Sequence, residues 1–158
     1  MKKQKGFSLI ELLIVVAIIL IIAAIAIPNL LRSRVAANEA SAVGSLRTIN
    51  TAEVTFSTTY PSVGFATLDA LGSTGACTTA TSTSACLIDT VLSTTKQKSG
   101  YNFTVTNLTG APVVVTYTAT ALPVVLGQSG QRGFCTDQSG VIRYNAAGTC
   151  AVATDPAL

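Results

Sequence analysis

The residue whose type and position most clearly suggest a chemical role is a carboxylate near the start of the chain. Glu11 stands in the stretch KGFSLIELL, directly before 16 consecutive apolar residues at 12–27. A charged side chain in a membrane-spanning helix costs roughly 2.5–3.5 kcal/mol, and less toward the helix end, so such a residue usually has a partner. No partner is visible nearby in the chain. Glu11 is therefore the first candidate functional residue.

Residue types that support catalysis are scarce in this sequence. It contains no histidine, which excludes a Ser-His-Asp triad, a Cys-His pair and haem attachment of the C-x-x-C-H type. There is no P-loop and no G-x-G-x-x-G motif, and the 7 acidic residues are scattered singly. We therefore predict that the protein is not an enzyme and has no catalytic residue and no cofactor.

The 4 cysteines, Cys77, Cys86, Cys135 and Cys150, all lie beyond the apolar run. They fit disulfides formed outside the cytoplasm, and four cysteines allow three pairings. The local pairing, Cys77–Cys86 and Cys135–Cys150, closes short loops in separate regions, and each bond would contribute roughly 3 kcal/mol. Zinc is the rival use, but neither spacing is C-x₂₋₄-C and histidine ligands are lacking. We predict structural disulfides and no metal site.

The element that would position Glu11 is a helix long enough to span a bilayer. Residues 12–27 alone make about 24 Å of helix at ~1.5 Å per residue, and the apolar segment as a whole covers 7–31. Three lysines at positions 2, 3 and 5 precede it and favour a cytoplasmic N-terminus. Pro28 removes one N–H and clashes with the preceding turn, which predicts a kink or a locally loosened helix.

The next segment, 32–58, has the pattern of an amphipathic helix. Glu39 and Glu53 fall on its apolar face, so the amphipathicity is imperfect. The helix should end near Thr58, shortly before Pro61. Five apolar residues can share that face: Val35, Val43, Leu46, Ile49 and Phe56.

The rest of the chain predicts a loop-rich connection at 59–100 and a β-sheet at 101–158 that ends in a disulfide loop. Apolar and polar residues alternate over 101–106, a second strand is expected at 113–120, and FCTDQSGVIRY at 134–144 indicates two strands joined by a turn. Three or four antiparallel strands would cover the apolar face of the helix. The predicted class is α+β: a long helix, membrane-spanning then amphipathic, packed on a small antiparallel sheet head with disulfide-bounded loops.

The first thirty residues allow three interpretations. The segment could be a plain membrane anchor, in which Glu11 is a weak point. It could be an ordinary secretory signal, with Ala24-Ile25-Ala26 as a small-x-small cleavage site. It could also carry a basic leader, residues 1–6, that ends at Gly6, so that Phe7 starts the mature protein and the apolar helix is retained.

The stretch KGFSLIE at 5–11, with the basic leader, the apolar run and Pro28, resembles the processing site of type IV prepilins and their pseudopilin relatives. In that family a dedicated peptidase cuts after the glycine and the new N-terminal residue is methylated. The resemblance implies cleavage between Gly6 and Phe7, and methylation of Phe7. It also implies a partner for Glu11, the α-amino group of Phe7 on a neighbouring subunit, with a role in setting the register of the packed helices.

The resemblance covers roughly residues 5–34 and implies a structural subunit of a type IV pilus that polymerises through its N-terminal helix. A pseudopilin of a type II secretion system is the alternative. The implied partners are other copies of the chain, the prepilin peptidase, the pilus assembly platform with its ATPase, and an outer-membrane secretin. The precursor would lie in the inner membrane, and the product in an extracellular pilus or a periplasmic pseudopilus. The loop at 135–150 resembles the disulfide-bounded C-terminal loop of many pilins.

A minor pilin that binds DNA for uptake is a further alternative. This function needs a basic stripe on the surface. Beyond residue 57 the chain has 4 basic and 4 acidic side chains, so the exported part is neutral. We therefore do not expect a nucleic-acid partner.

Overall fold

The computed structural model describes residues 7–73, 75 and 77–158, apart from the side chain of Asn107. The chain divides into two compact units, Met1–Arg34 and Val35–Leu158. The predicted α+β class is confirmed, because the chain has a long N-terminal helix with an apolar span and an antiparallel sheet.

Helix α1, Leu9–Thr59, begins in the first unit and ends in the second. Its N-terminal part is long and apolar enough to cross a membrane by length and composition, with a mean hydropathy of 3.3 over the most apolar 18 residues and none of that window buried. Pro28 lies inside α1, which is helical on both sides of it. A kink at this proline stays a prediction.

The part of α1 in the second unit buries one face, as its periodicity predicts. Ala42, Leu46, Ile49 and Phe56 are fully buried against the rest of this unit. Burying the Leu, Ile and Phe side chains contributes roughly 1.5–3 kcal/mol each. Glu39 and Glu53 are buried on the same face, so two carboxylates lie where an apolar pattern would exclude them.

The segment between α1 and the sheet is mostly loop, with two short helical pieces. Helix α2, Leu68–Leu71, is capped by Thr67, whose side chain accepts a hydrogen bond from the Ala70 amide. A π-helix follows at Val91–Thr95. Buried apolar side chains from both pieces complete the core of the second unit, including Leu71 and Leu92.

The sheet has five antiparallel strands: β1 Gln97–Lys98, β2 Tyr101–Thr109, β3 Thr116–Pro123, β4 Gly133–Asp137 and β5 Arg143–Asn145. They lie side by side in this order. The sheet exceeds the predicted three or four strands because a two-residue edge strand pairs with the start of β2. Alternation places Phe103 of β2 and Tyr117 and Ala119 of β3 in the core.

The predicted start of the second strand at residue 113 is wrong, because β3 begins at Thr116. Val114 instead pairs with the segment that follows α1: its N–H donates to Val63 O at 2.9 Å, and its carbonyl accepts the Phe65 N–H at 3.0 Å. These two bonds turn Val114 away from β2 and fasten the connecting segment to the sheet side of the unit, whereas the Val115 N–H already donates to Thr109 O of β2 at 2.9 Å.

Candidate functional site

The start of α1 gives Glu11 a partner within its own chain. The Ser8 carbonyl accepts the first helical bond, from the Leu12 amide at 3.2 Å, so Ser8 occupies the N-cap position. The Ser8 N–H in turn donates to Glu11 Oε2 at 2.9 Å. This is half of a capping box, the motif in which a glutamate at the third helical position bonds the N-cap amide. The S-x-x-E spacing at 8–11 is the sequence signal that could have predicted this partner.

The apolar residues around Glu11 are exposed on every side of the helix. Phe7 is 83% exposed, and the large aliphatic side chains from Leu9 to Leu31 are all exposed as well. No described residue other than Ser8 forms a hydrogen bond with Glu11. The segment therefore presents an uncovered apolar cylinder with a single carboxylate near its N-terminal end.

Glu39 joins α1 to the loop before β4 through a dense set of bonds. Its Oε1 accepts the N–H groups of Gln131 at 2.9 Å and Arg132 at 3.1 Å, and its Oε2 accepts Arg132 Nε at 2.8 Å. Burial alone would raise the pKa of Glu39, but these hydrogen bonds and the Arg132 charge hold that pKa below its usual range. The guanidinium carbon also lies 5.4 Å from the Phe134 ring centre and 5.5 Å from that of Tyr144. Glu39 is thus an ionised anchor for this loop.

Asn50 forms a second polar connection, from α1 to the sheet. Its Nδ2 donates to Thr136 Oγ1 at 3.0 Å and to Gly140 O at 3.3 Å. Its Oδ1 accepts the Tyr117 hydroxyl at 3.0 Å. Burial, together with the charges of Glu53 and Asp137, raises the pKa of Tyr117, so the phenol keeps its donor proton. One amide therefore links α1 to β3, β4 and the turn after β4.

Glu53 is fully buried, and only one of its two carboxylate oxygens has a hydrogen-bond partner among the described residues. Its Oε2 accepts the Ala66 N–H at 2.9 Å, and its Oε1 has no hydrogen-bond partner among the described residues. Burial raises the pKa of Glu53 to about 7, although the Ala66 hydrogen bond opposes the shift. This carboxyl group is therefore about equally protonated and ionised near neutral pH.

Both disulfides join the cysteines that the local pairing predicts. The Cα atoms of Cys77 and Cys86 lie 6.0 Å apart, and those of Cys135 and Cys150 lie 5.6 Å apart. Asp155 lies beside the second pair, but its carboxylate accepts hydrogen bonds from Asn145 Nδ2 at 3.0 Å and the Ala151 amide at 2.7 Å. Sulfurs bonded to each other do not ligate a metal as thiolates, so this cluster is structural.

The predicted site residues fall into two separate groups. Phe7, Glu11 and Pro28 belong to the first unit, and the four cysteines to the second. Gly6 and the three leader lysines lie outside the described residues. The roles of Ser8 and Asn50 were missed, whereas the sequence did signal Glu39 and Glu53, because a carboxylate on an apolar helix face needs a partner.

The N-terminal segment matches a known family of sequence motifs. Residues 1–27 match the family described as "Prokaryotic N-terminal methylation motif". The match includes Gly6, Phe7 and Glu11, so the chain carries the segment that the resemblance at 5–34 indicated.

Two type IV pilins are similar to this chain over part of its length. The type IV wide pilus major component PilA4 of Thermus thermophilus is 64% identical over 39 residues, which are 25% of this chain and 30% of that protein. The type IV major pilin protein PilA of Myxococcus xanthus is 46% identical over 54 residues, 34% of this chain and 24% of that protein. The chain thus spans less than a third of the length of each. No solved structure matches.

Proposed function

We propose that this chain is a structural subunit of a type IV pilus and has no enzymatic role. The observation that carries the proposal is an N-terminal methylation motif followed directly by a helix whose apolar side chains are exposed all round. In water such a surface costs roughly 25 cal/mol per Å². It must be covered by lipid in the precursor, and the same helices of other copies can cover it in a filament.

In this proposal the prepilin peptidase cuts between Gly6 and Phe7 and leaves a methylated α-amino group on Phe7. The new ammonium group stands next to the capping box. Because Ser8 occupies only Oε2 of Glu11, the second oxygen can accept a bond from the Phe7 ammonium of a neighbouring subunit. The capping box therefore pre-orients the carboxylate for a contact between copies. Removing one member of a buried ion pair typically costs ~3–5 kcal/mol.

The remaining partners follow from the same proposal. The precursor waits in the inner membrane with its N-terminus in the cytoplasm, and an assembly platform with its ATPase moves it into the fibre, which leaves through an outer-membrane secretin. The second unit, with its two disulfides, stays outside the cytoplasm throughout. Both relatives are named as pilus components, which favours a pilus over a secretion pseudopilus.

The decisive experiment combines the mature N-terminus with the fate of Glu11 variants. Mass spectrometry of sheared fibres should identify this chain with methylated Phe7 as its first residue. Glu11→Ala should abolish fibres while the precursor still fractionates with the membrane. Ser8→Ala is the matched control, because it keeps the backbone N–H that Glu11 accepts, and it should retain fibres.

Three results would contradict the proposal. Mature chains that start at Ile27 would indicate an ordinary secretory signal, and chains that start at Met1 a plain anchor. Normal fibre yield from Glu11→Ala would show that the carboxylate has no part in assembly.

A further inference from the structure

Three consecutive aliphatic side chains are exposed in the β3–β4 loop, residues 124–132. Val124 is 43% exposed, Val125 45% and Leu126 56%. They open the stretch VVLGQSGQ at 124–131, which contains no charged residue. Aliphatic residues that are exposed singly are ordinary on a protein surface, whereas a contiguous group indicates a contact surface.

Hydrogen bonds fix the β3–β4 loop to itself and to α1. The Val125 carbonyl accepts the Ser129 N–H at 2.9 Å, and the Ser129 hydroxyl accepts the Val125 N–H at 3.0 Å. Asn38 Nδ2 donates to the Ser129 carbonyl at 2.8 Å, one residue before Glu39, which binds the end of the same loop. The aliphatic side chains are therefore held outward by a braced loop, so covering them does not require the loop to be ordered first.

The β3–β4 loop lies at the end of the second unit where α1 enters. The Tyr117 hydroxyl, near the start of β3, donates to Asn50 Oδ1, whereas Ser129, beyond the end of β3, bonds Asn38. Between these two contacts the chain runs back along α1 by twelve helix positions, toward the helix N-terminus. The exposed aliphatic residues therefore continue β3 in the direction from which α1 comes.

The candidate membrane span ends a short way before this part of α1. The second unit begins at Val35, and Asn38 follows Leu31, the last residue of the apolar segment, by seven residues. Since α1 is helical throughout this stretch, these residues rise by about 10 Å. The headgroup region of a bilayer extends roughly 5–7 Å beyond the hydrocarbon on each side. When the apolar segment spans a bilayer, the residue that holds the loop is thus close to the headgroups.

The charges of the β3–β4 loop favour lipid over a protein as the occupant. Its one charged side chain, Arg132, is already paired with Glu39 at 2.7 Å. The loop therefore offers no free charge with which a second protein surface could select it, and no free carboxylate that anionic lipid would repel. An uncharged loop with aliphatic side chains suits the boundary between headgroups and acyl chains.

We propose that Val124, Val125 and Leu126 enter the headgroup boundary of the bilayer while the chain is anchored there. The partner is a phospholipid surface on the outer side of the membrane, and the loop is a second membrane contact besides the apolar helix. The inference rests on the proposed function, because a membrane-anchored precursor is part of it. The contact holds the second unit against the bilayer, and a subunit that joins a fibre has to release it.

Tryptophan fluorescence in vesicles tests the contact, because the chain has no tryptophan of its own. The full chain with Val125→Trp is reconstituted into vesicles of phosphatidylethanolamine and phosphatidylglycerol, with or without lipids brominated near the headgroup end of their acyl chains. Bromine quenches a nearby indole ring, and interfacial side chains enter this boundary by about 5–10 Å. We expect brominated lipid to remove about half of the emission or more. Leu126→Trp is a second reporter and should be quenched as well.

Val115→Trp is the matched control for the affinity of tryptophan itself for membranes. Val115 is 60% exposed and directly precedes β3, at the other end of this strand from the loop, so brominated lipid should leave its emission unchanged. Adding Leu126→Asp to Val125→Trp should abolish the quenching, because a carboxylate is costly to bring into the boundary. Both changed side chains are exposed, so the core of the unit is untouched.

Each other outcome has a definite meaning. Equal quenching of Val125→Trp and Val115→Trp, in chains that float with the vesicles, would overturn the lipid contact and leave the pilus function standing. A blue shift without quenching that grows with protein density would overturn it in favour of a second copy as the occupant. Failure of the unmodified chain to float with vesicles would contradict the membrane-anchored precursor of the proposed function, and the lipid contact with it.

Discussion

The carboxylate of Glu53 accepts the backbone N–H of Ala66, 13 residues further along, at a distance of 2.9 Å. Its second oxygen lies buried without a partner among the described residues. The contact fastens the segment after α1 to the helix, but it does so with a group that is costly to ionise. The chain has no histidine, so Glu53 is the side chain expected to titrate near neutral pH.

The stability of the second unit should therefore fall as pH rises from about 5 to 8. The pKa of Glu53 is about 7 in the folded state, above its usual 4.5. The folded state binds the extra proton, so the stabilisation is complete below pH 4.5 and is lost as pH rises through 7. The loss should be roughly 3 kcal/mol. Denaturant unfolding of the full chain in detergent, followed by near-ultraviolet circular dichroism, measures it.

Glu53→Gln is the variant that isolates this effect. It cannot ionise, so its unfolding free energy should vary by less than 1 kcal/mol between pH 5 and 8. As pH rises from 5 to 8, the difference in unfolding free energy between the variant and the parent chain should shift in favour of the variant. An unchanged pH slope in the variant would assign the titration to another group.

Glu39 should show the opposite dependence on pH. Its pKa is lowered, so its contribution is present above the usual carboxyl pKa and is lost as pH falls through the lowered value. Glu39→Ala leaves the amides of Gln131 and Arg132 without their acceptor and should cost about 3 kcal/mol near neutral pH. Arg132→Ala should cost only about 1 kcal/mol, because that side chain is 40% exposed. Equal losses in the two variants would contradict this assignment.

Asn50 and Tyr117 should behave as a coupled pair. Asn50→Ala removes bonds to Thr136, Gly140 and Tyr117 together, so we expect a loss of about 2–3 kcal/mol. Tyr117→Phe should cost about 1 kcal/mol. The double variant should lose less than the sum, since Tyr117 keeps no partner to lose once Asn50 is gone. Additive unfolding free energies would show that the two side chains act independently.

The two disulfides should differ in importance although their loops are similar in length. Both close short loops, of 9 and 15 residues in separation, and each should contribute about 3 kcal/mol. Replacing Cys135 and Cys150 by serine should cost more than replacing Cys77 and Cys86, because Cys135 is fully buried and a serine hydroxyl there would lack a partner. The thermal midpoints of the two double-serine variants give the comparison, and equal midpoints would contradict it.

Much of the fold could be predicted from local patterns. The apolar run at 12–27 predicts a spanning helix by length alone, and the turn at 137–140 follows from its residues, with Gly140 at a φ of 74°. The start of β3 could not be predicted this way. Its preceding valines satisfy strand propensity equally well, but Val114 donates its N–H to Val63 O and accepts the Phe65 N–H. This pairing depends on where the chain returns after α1.

The sequence by itself determined the N-terminal segment, because every feature of it is local. The features lie next to one another: a basic leader, Gly6, Phe7, a glutamate four residues later and an unbroken apolar run. Their spacing alone predicts the processing site and the helix that follows. Even the capping bond from Ser8 to Glu11 spans only three residues.

Only the tertiary structure decided why α1 carries Glu39, Asn50 and Glu53 on the side that meets the sheet. Glu39 contacts a loop 92 residues away, and Asn50 a strand 86 residues away. Each buried polar group needs a partner with the right geometry. The periodicity of α1 predicts that these side chains are buried, but it does not predict which groups they contact. The folded chain brings distant backbone amides and hydroxyls to this face, although Oε1 of Glu53 keeps no partner among the described residues.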